Sequence, residues 1–110
     1  MNFYKICLYS DLSVSSLKKI LFQGEALLAV LDLEGHVFVF RNLCSHSEKP
    51  LENGHWDPEK RTILCPFHKA IFDVSQKGKP LCAPAVSPID TFETKIEIEN
   101  GVQVVSVFLD

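Results

Sequence analysis

Residues 26–40, Ala-Leu-Leu-Ala-Val-Leu-Asp-Leu-Glu-Gly-His-Val-Phe-Val-Phe, contain two apolar runs, Leu27 to Leu31 and Val37 to Phe40, separated by Asp32-Leu33-Glu34-Gly35. Apolar runs of this length joined by a short polar turn predict a β-hairpin, with Gly35 supplying the positive φ that the turn needs. The pair is expected at the centre of a sheet.

The flanking segments repeat the theme. Phe3 to Leu8 collects β-favouring residues before a polar turn at Ser10, Asp11 and Ser13, which predicts an opening strand. In Leu17 to Phe22, Leu17, Ile20 and Leu21 fit a helical spacing, but the segment is too short for a stable helix and reads as a strand. Near the C-terminus, Phe92, Ile96 and Ile98 alternate with charged residues, and Asn100-Gly101 precedes Val102, Val104 and Val105. Asn-Gly between such runs is the strongest hairpin signal in the chain. No internal repeat, low-complexity segment or linker intervenes, so residues 1–110 read as one all-β domain.

Composition narrows the function classes. A length of 110 residues suits one small core, and 46% apolar with 23% charged residues is the balance of a folded chain. A net charge of −3 with no run of Lys or Arg argues against nucleic acid and anionic lipid as partners. The longest apolar run, Ala26 to Leu31, is far below the ~20 residues that cross a bilayer. Met1 to Ser10 lacks the pattern of a signal peptide, so the expected location is the cytoplasm, where thiols stay reduced.

Between the two hairpins lies a loop-rich stretch, Asn42 to Pro88, with Cys44, Cys65, Cys82, His46, His55 and His68. Two short motifs stand out: Cys44-Ser45-His46 and Cys65-Pro66-Phe67-His68, with 18 residues between them. Each offers one thiolate and one imidazole, so two loops together could complete the coordination of a metal centre, with Pro66 stiffening the second. Zinc also accepts two Cys and two His, but structural zinc usually draws on a Cys pair and a His pair, and here each loop is mixed.

These motifs resemble those of the Rieske ferredoxin family. Leu51 and Gly54 follow the first motif, Phe72-Asp73 follow the second, and Ala83-Pro84-Ala85 stand where the family has a proline loop over its cluster. The resemblance implies an antiparallel β-sandwich or barrel base built from both chain ends, with a cluster-binding part inserted at about 42–88. It implies one [2Fe–2S] cluster held by Cys44 and Cys65 on one iron and by His46 and His68 on the other. The sequence looks most like the ferredoxin component of bacterial multicomponent aromatic-ring oxygenases. That likeness implies an electron carrier, without turnover of its own, between an NAD(P)H-dependent flavoprotein reductase and a terminal oxygenase, docking near His46 and His68; a monomer is the default expectation. The small subunit of an assimilatory NAD(P)H nitrite reductase and a zinc-stabilised interaction module are the alternatives.

Two imidazoles in place of thiolates make the cluster less negative and electron uptake easier, so Rieske centres span about −150 to +300 mV. High-potential relatives add a disulfide, whose cysteines would fall at Lys49 and Phe67, and hydroxyl donors, which would fall at Ala70 and Phe72. This chain has neither, which predicts the low end of the range. Ser47 and Lys69 stand where the family commonly has Gly. A positive φ at residue 69 would strain a Lys by roughly 1–3 kcal/mol; otherwise Lys69 is a solvated surface residue. The turn Ser75 to Pro80 is one residue longer than usual, which is a cheap change.

The remaining chemistry-bearing side chains read as structural. Cys7 is expected as a core thiol and Cys82 as packing near the cluster without ligating it. His36 and His55 sit at turns, Trp56 is expected as a core or loop-packing residue with no assigned role, and Asp73 as a turn cap.

Overall fold

A computed structural model describes residues 2–45, 49–67, 69–82 and 87–109. Its strands, in chain order, are β1 (Asn2–Leu8), β2 (Lys18–Phe22), β3 (Glu25–Leu31), β4 (Val37–Arg41), β5 (His55–Asp57) and β6 (Thr62–Leu64). They continue with β7 (Ile71–Asp73), β8 (Lys79–Pro80), β9 (Thr91–Phe92), β10 (Thr94–Glu99) and β11 (Val102–Leu109). All pairing is antiparallel, in three sheets ordered β1-β11-β10, β2-β3-β4-β9 and β5-β6-β7-β8. Among the described residues no helix is long and apolar enough to cross a membrane.

The β3–β4 hairpin forms in the middle of its sheet, in register from Leu31 opposite Val37 to Leu27 opposite Arg41. Gly35 takes φ +85° and donates its amide to the Asp32 carbonyl at 3.2 Å. The unbroken apolar run of β3 has a structural reason, because this strand is buried on both faces. Leu28 and Val30, with Phe40, pack on Trp56, Ile63 and Phe72 of the inserted sheet. Leu27, Ala29 and Leu31, with Val39, pack on Val105 and Val107 of β11. The molecule is therefore layered, with the β2-β3-β4-β9 sheet in the middle. Burial of each large side chain contributes about 1.5–3 kcal/mol, so the middle layer is the main source of cohesion.

The segment with mixed periodicity, Leu17 to Phe22, is a strand. Gln23 and Gly24, at φ 51° and 80°, make the tight turn that folds it onto β3. Ile20 and Phe22 face the core while Leu21 between them is 73% exposed, the period-2 outcome. Asn100 and Gly101 adopt the same pair of conformations between β10 and β11. Ile96 lies opposite Val105, but β10 is an edge strand that overhangs the core and leaves Ile98 72% exposed.

Between β4 and β9 the chain leaves the middle sheet to build β5 to β8 and then returns. Trp56 fastens this insertion to the centre: it is buried, donates its indole N–H to the Leu31 carbonyl at 3.0 Å, and packs on Phe38 and Phe40. Asp73 caps the short 3-10 turn Val74–Gln76, accepting from the Ser75 amide at 3.0 Å and its hydroxyl at 2.6 Å. The longer turn then reverses through Lys77 and Gly78, both at positive φ, into β8.

Candidate metal centre

The two cysteines of the paired motifs lie on loops that leave the ends of β4 and β6. Both are completely buried and belong to one apolar cluster with Leu51, Trp56, Ile63, Ala70 and Phe72. The loops close in the same way. The Cys44 amide donates to the Lys49 carbonyl at 2.7 Å, and the Cys65 amide donates to the Ala70 carbonyl at 2.7 Å. In each, the chain turns back on its cysteine after five residues and fixes the thiol at the inner end. His46, His68, Ser47 and Ala83-Pro84-Ala85 lie outside the described residues.

The first loop has a brace that the motif reading missed. Asn42, buried, accepts the Leu51 amide on Oδ1 at 2.7 Å and donates through Nδ2 to Glu52 at 3.1 Å, spanning the base of the loop. Lys19 of β2 meets the same Glu52 carboxylate at 3.2 Å. The Asn42 amide first, and then Lys19, hold that carboxyl below its ordinary range. In the sequence an asparagine directly after an apolar strand is an ordinary polar residue, so only its burial in the structure reveals the brace. Ser45 adds a second tie, its hydroxyl donating to the Ser87 carbonyl at 2.6 Å.

Lys69, in the second loop, has φ +57° and donates its amide to the Cys65 carbonyl at 3.1 Å. Its side chain is exposed, so residue 69 is at once a solvated lysine and a strained one. Cys82 is exposed, with its Sγ 3.8 Å from the Lys69 carbonyl, and so packs against this loop. Lys49 and Phe67 meet across the loops, the ammonium 4.8 Å from the ring centroid.

The other motif residues have plain structural roles. Leu51 and Phe72 are fully buried. A Cβ on Gly54 would run into the Leu64 carbonyl oxygen, which explains a glycine there. Ala70 and Phe72 bring no hydroxyl to the buried cluster. Cys7 is half-buried; burial and then the Asp11 carboxylate, against the opposing pull of Lys18, push its thiol up to about 11. His36 and His55 are exposed. Asp32, Glu34 and His36 do gather in the β3–β4 turn, but the Arg61 guanidinium already bridges both carboxylates, at 2.8 and 2.9 Å.

Two buried thiols in an apolar pocket are a costly place for isolated charge and a good one for an iron–sulfur group. Thiolates need a metal to offset their desolvation, and sulfur is a preferred donor for iron–sulfur iron. A [2Fe–2S] group with two thiolates and two neutral imidazoles is formally uncharged when oxidised, since two ferric ions balance two sulfides and two thiolates. The apolar lining fits that charge state.

Comparison with known proteins agrees. The Rieske [2Fe-2S] domain model matches residues 2–93. The ferredoxin component of the naphthalene 1,2-dioxygenase system of Pseudomonas putida is 41% identical over 70 residues, a match that spans 64% of this chain and 64% of that relative's own length. A ferredoxin of Sphingomonas yanoikuyae B1 superposes with a TM-score of 0.76 at 28% identity, covering 94% of this chain and 97% of its own. The complex of reduced oxygenase and oxidized ferredoxin in carbazole 1,9a-dioxygenase contains a chain that superposes with a TM-score of 0.74 at 25% identity, covering 98% of this chain and 97% of its own. With layered antiparallel sheets and two loops that bury their cysteines as its structural signature, the chain belongs to the Rieske [2Fe-2S] domain family, and its cofactor is a Rieske-type [2Fe–2S] cluster.

Proposed function

We propose that Cys44 and Cys65 hold one iron of the cluster and His46 and His68 the other. We further propose that the chain carries single electrons from an NAD(P)H-dependent flavoprotein reductase to a terminal aromatic-ring oxygenase. In this reading residues 1–110 are one domain with its cluster-bearing part at about 42–88. It acts as a cytoplasmic monomer, docks near the two histidines, and has no turnover of its own. The observation that carries the ligand set is the matched closure of two loops around two fully buried cysteines. The relatives named above, as ferredoxin components of dioxygenase systems, support the electron-carrier reading.

When bound, the cluster takes up and releases one electron at a time. The protein's part is to position and to insulate. The Cys44 and Cys65 amides are committed to loop closure, and Leu51, Trp56, Ile63 and Phe72 exclude water from the thiol side. With Ala70 and Phe72 offering no hydroxyl, the midpoint potential is expected nearer −150 mV than +300 mV.

Iron, acid-labile sulfide and the electron paramagnetic resonance of the reduced protein test the ligand set. His46→Ala and His68→Ala should each abolish the signal while His36→Ala leaves it intact; equal effects at all three would refute the assignment. Zinc without iron would identify an interaction module instead. Recovery of native partners tests the circuit: a terminal oxygenase and a flavoprotein support it, and a sirohaem protein would point to a nitrite reductase.

A further inference from the structure

Each loop around the site is closed on itself through its own backbone, from Cys44 to Lys49 and from Cys65 to Ala70. Such closure shapes a loop without holding it against its neighbour. The Lys49–Phe67 contact does cross between them, 4.8 Å from ammonium to ring centroid. Lys49 is the residue whose carbonyl closes the first loop, and Phe67 lies between Cys65 and His68 in the second. No carboxylate among the described residues pairs with Lys49, whereas Lys5, Lys19 and Lys95 each hold one. Phe67 is 46% exposed, so an ammonium held over the ring covers part of a face that water would otherwise reach.

From this contact we infer that Lys49 and Phe67 form a noncovalent clasp that keeps the two ligand loops in register and slows loss of the cluster. The inference rests on the ligand assignment proposed above. Neither side chain is a ligand in that assignment; both are positioning residues, acting through the loops that carry the ligands. The contact is specific in chemistry, since it needs a cation on one loop and an aromatic face on the other.

Purified, cluster-loaded protein challenged with excess iron chelator provides the test, with the decay of visible absorbance as the readout. Lys49→Met keeps the stem and removes the charge, and Phe67→Leu keeps an apolar group and removes the ring. Each should speed decay about two- to fivefold, the range expected for a half-exposed cation–π pair. The double variant should decay no faster than the faster single one, because either change already opens the clasp. Lys49→Arg and Phe67→Trp should decay at the wild-type rate. Lys95 stands 4.4 Å over Phe3 on the outer sheet, so Lys95→Met removes a matched pair far from the loops and should leave decay unchanged.

Wild-type decay in Lys49→Met, a double variant whose effect is the product of the singles, or an equal effect of Lys95→Met would each overturn the clasp. If Lys49→Met fails to load a cluster, normal loading of Lys49→Arg upholds the proposal and failure of both overturns it. Wild-type protein without iron and sulfide would instead sink the ligand assignment itself.

Discussion

At Lys69 the backbone holds φ +57°, where the Cβ of an L-residue crowds its own carbonyl at a cost of roughly 1–2 kcal/mol. Among the four other described non-glycine residues in this conformation, Arg61 precedes Thr62, but Gln23, Lys77 and Asn100 sit in turns with a glycine directly after them. Lys69 does not; Ala70 follows, fully buried, and its carbonyl must face the Cys65 amide for the loop to close. The reversal therefore falls on residue 69 whatever side chain stands there. Lys69→Gly should relieve the strain and return part of the gain as entropy of the unfolded chain, for a net stabilisation of about 0.5–1 kcal/mol. A thermal midpoint raised by about 2–5 °C is the expected result. A lowered midpoint would mean that the lysine side chain contributes more to the loop than its backbone costs.

Among the elements, the segment joining β4 to β5 is the one whose geometry the cysteine depends on, and Asn42 supports it from inside. Its carboxamide satisfies the buried Leu51 amide and reaches Glu52, so that both ends of the Cys44 loop are tied to one side chain. Asn42→Ala leaves that amide without its partner and should destabilise by about 1–3 kcal/mol, measured as a shift in the denaturant midpoint with an unchanged slope. A loss below a few tenths of a kcal/mol would show that the loop holds without its brace. This dependence is not legible from spacing, because Asn42 reads as an ordinary polar residue after a strand. The legible parts are those written in local chemistry. Asn100-Gly101 and the turn ending in Gly35 announce their hairpins, and the Cys-x-His and Cys-x-x-His pairs announce a metal site. The inserted β5 to β8 are two or three residues each, too short for a period-2 pattern, and form because Trp56, Ile63 and Phe72 have the middle sheet to pack on. Gln23-Gly24 turns the chain with only one strong turn residue, which leaves Leu17 to Phe22 ambiguous until β3 is in place beside it. The positive φ at Lys69 follows from loop closure over five residues, a constraint that residue type alone does not express.

Over the whole molecule, the middle and inserted sheets are joined by apolar packing around Trp56 and by a polar clip at Asp32. This carboxylate, fully buried at the end of β3, accepts the Glu34 and His36 amides on one oxygen, both at 2.9 Å. Its other oxygen takes the Arg61 guanidinium at 2.8 Å and faces His36 Nδ1 at 3.1 Å. Arg61 belongs to the β5–β6 turn, so the clip crosses from one sheet to the other. Burial alone would raise the Asp32 carboxyl; Arg61, the His36 amide and ring, and the Glu34 amide outweigh it and hold the group at about 2. Its ordinary value is 3.8, so above pH 4 it is ionised in both folded and unfolded chains and the clip contributes in full. Between pH 4 and pH 2 the unfolded chain takes up the proton first, and the contribution, on the order of 1–2 kcal/mol, is lost as pH falls. Asp32→Asn should therefore be less stable than wild type at pH 7. The gap between the two should narrow as the pH drops from 4 towards 2, when denaturant midpoints are compared at each pH. Comparing the difference cancels the titration of the other carboxylates, which both proteins share. A gap that stays constant through that range would mean that Asp32 joins the sheets by shape and hydrogen bonding alone, with its charge contributing nothing.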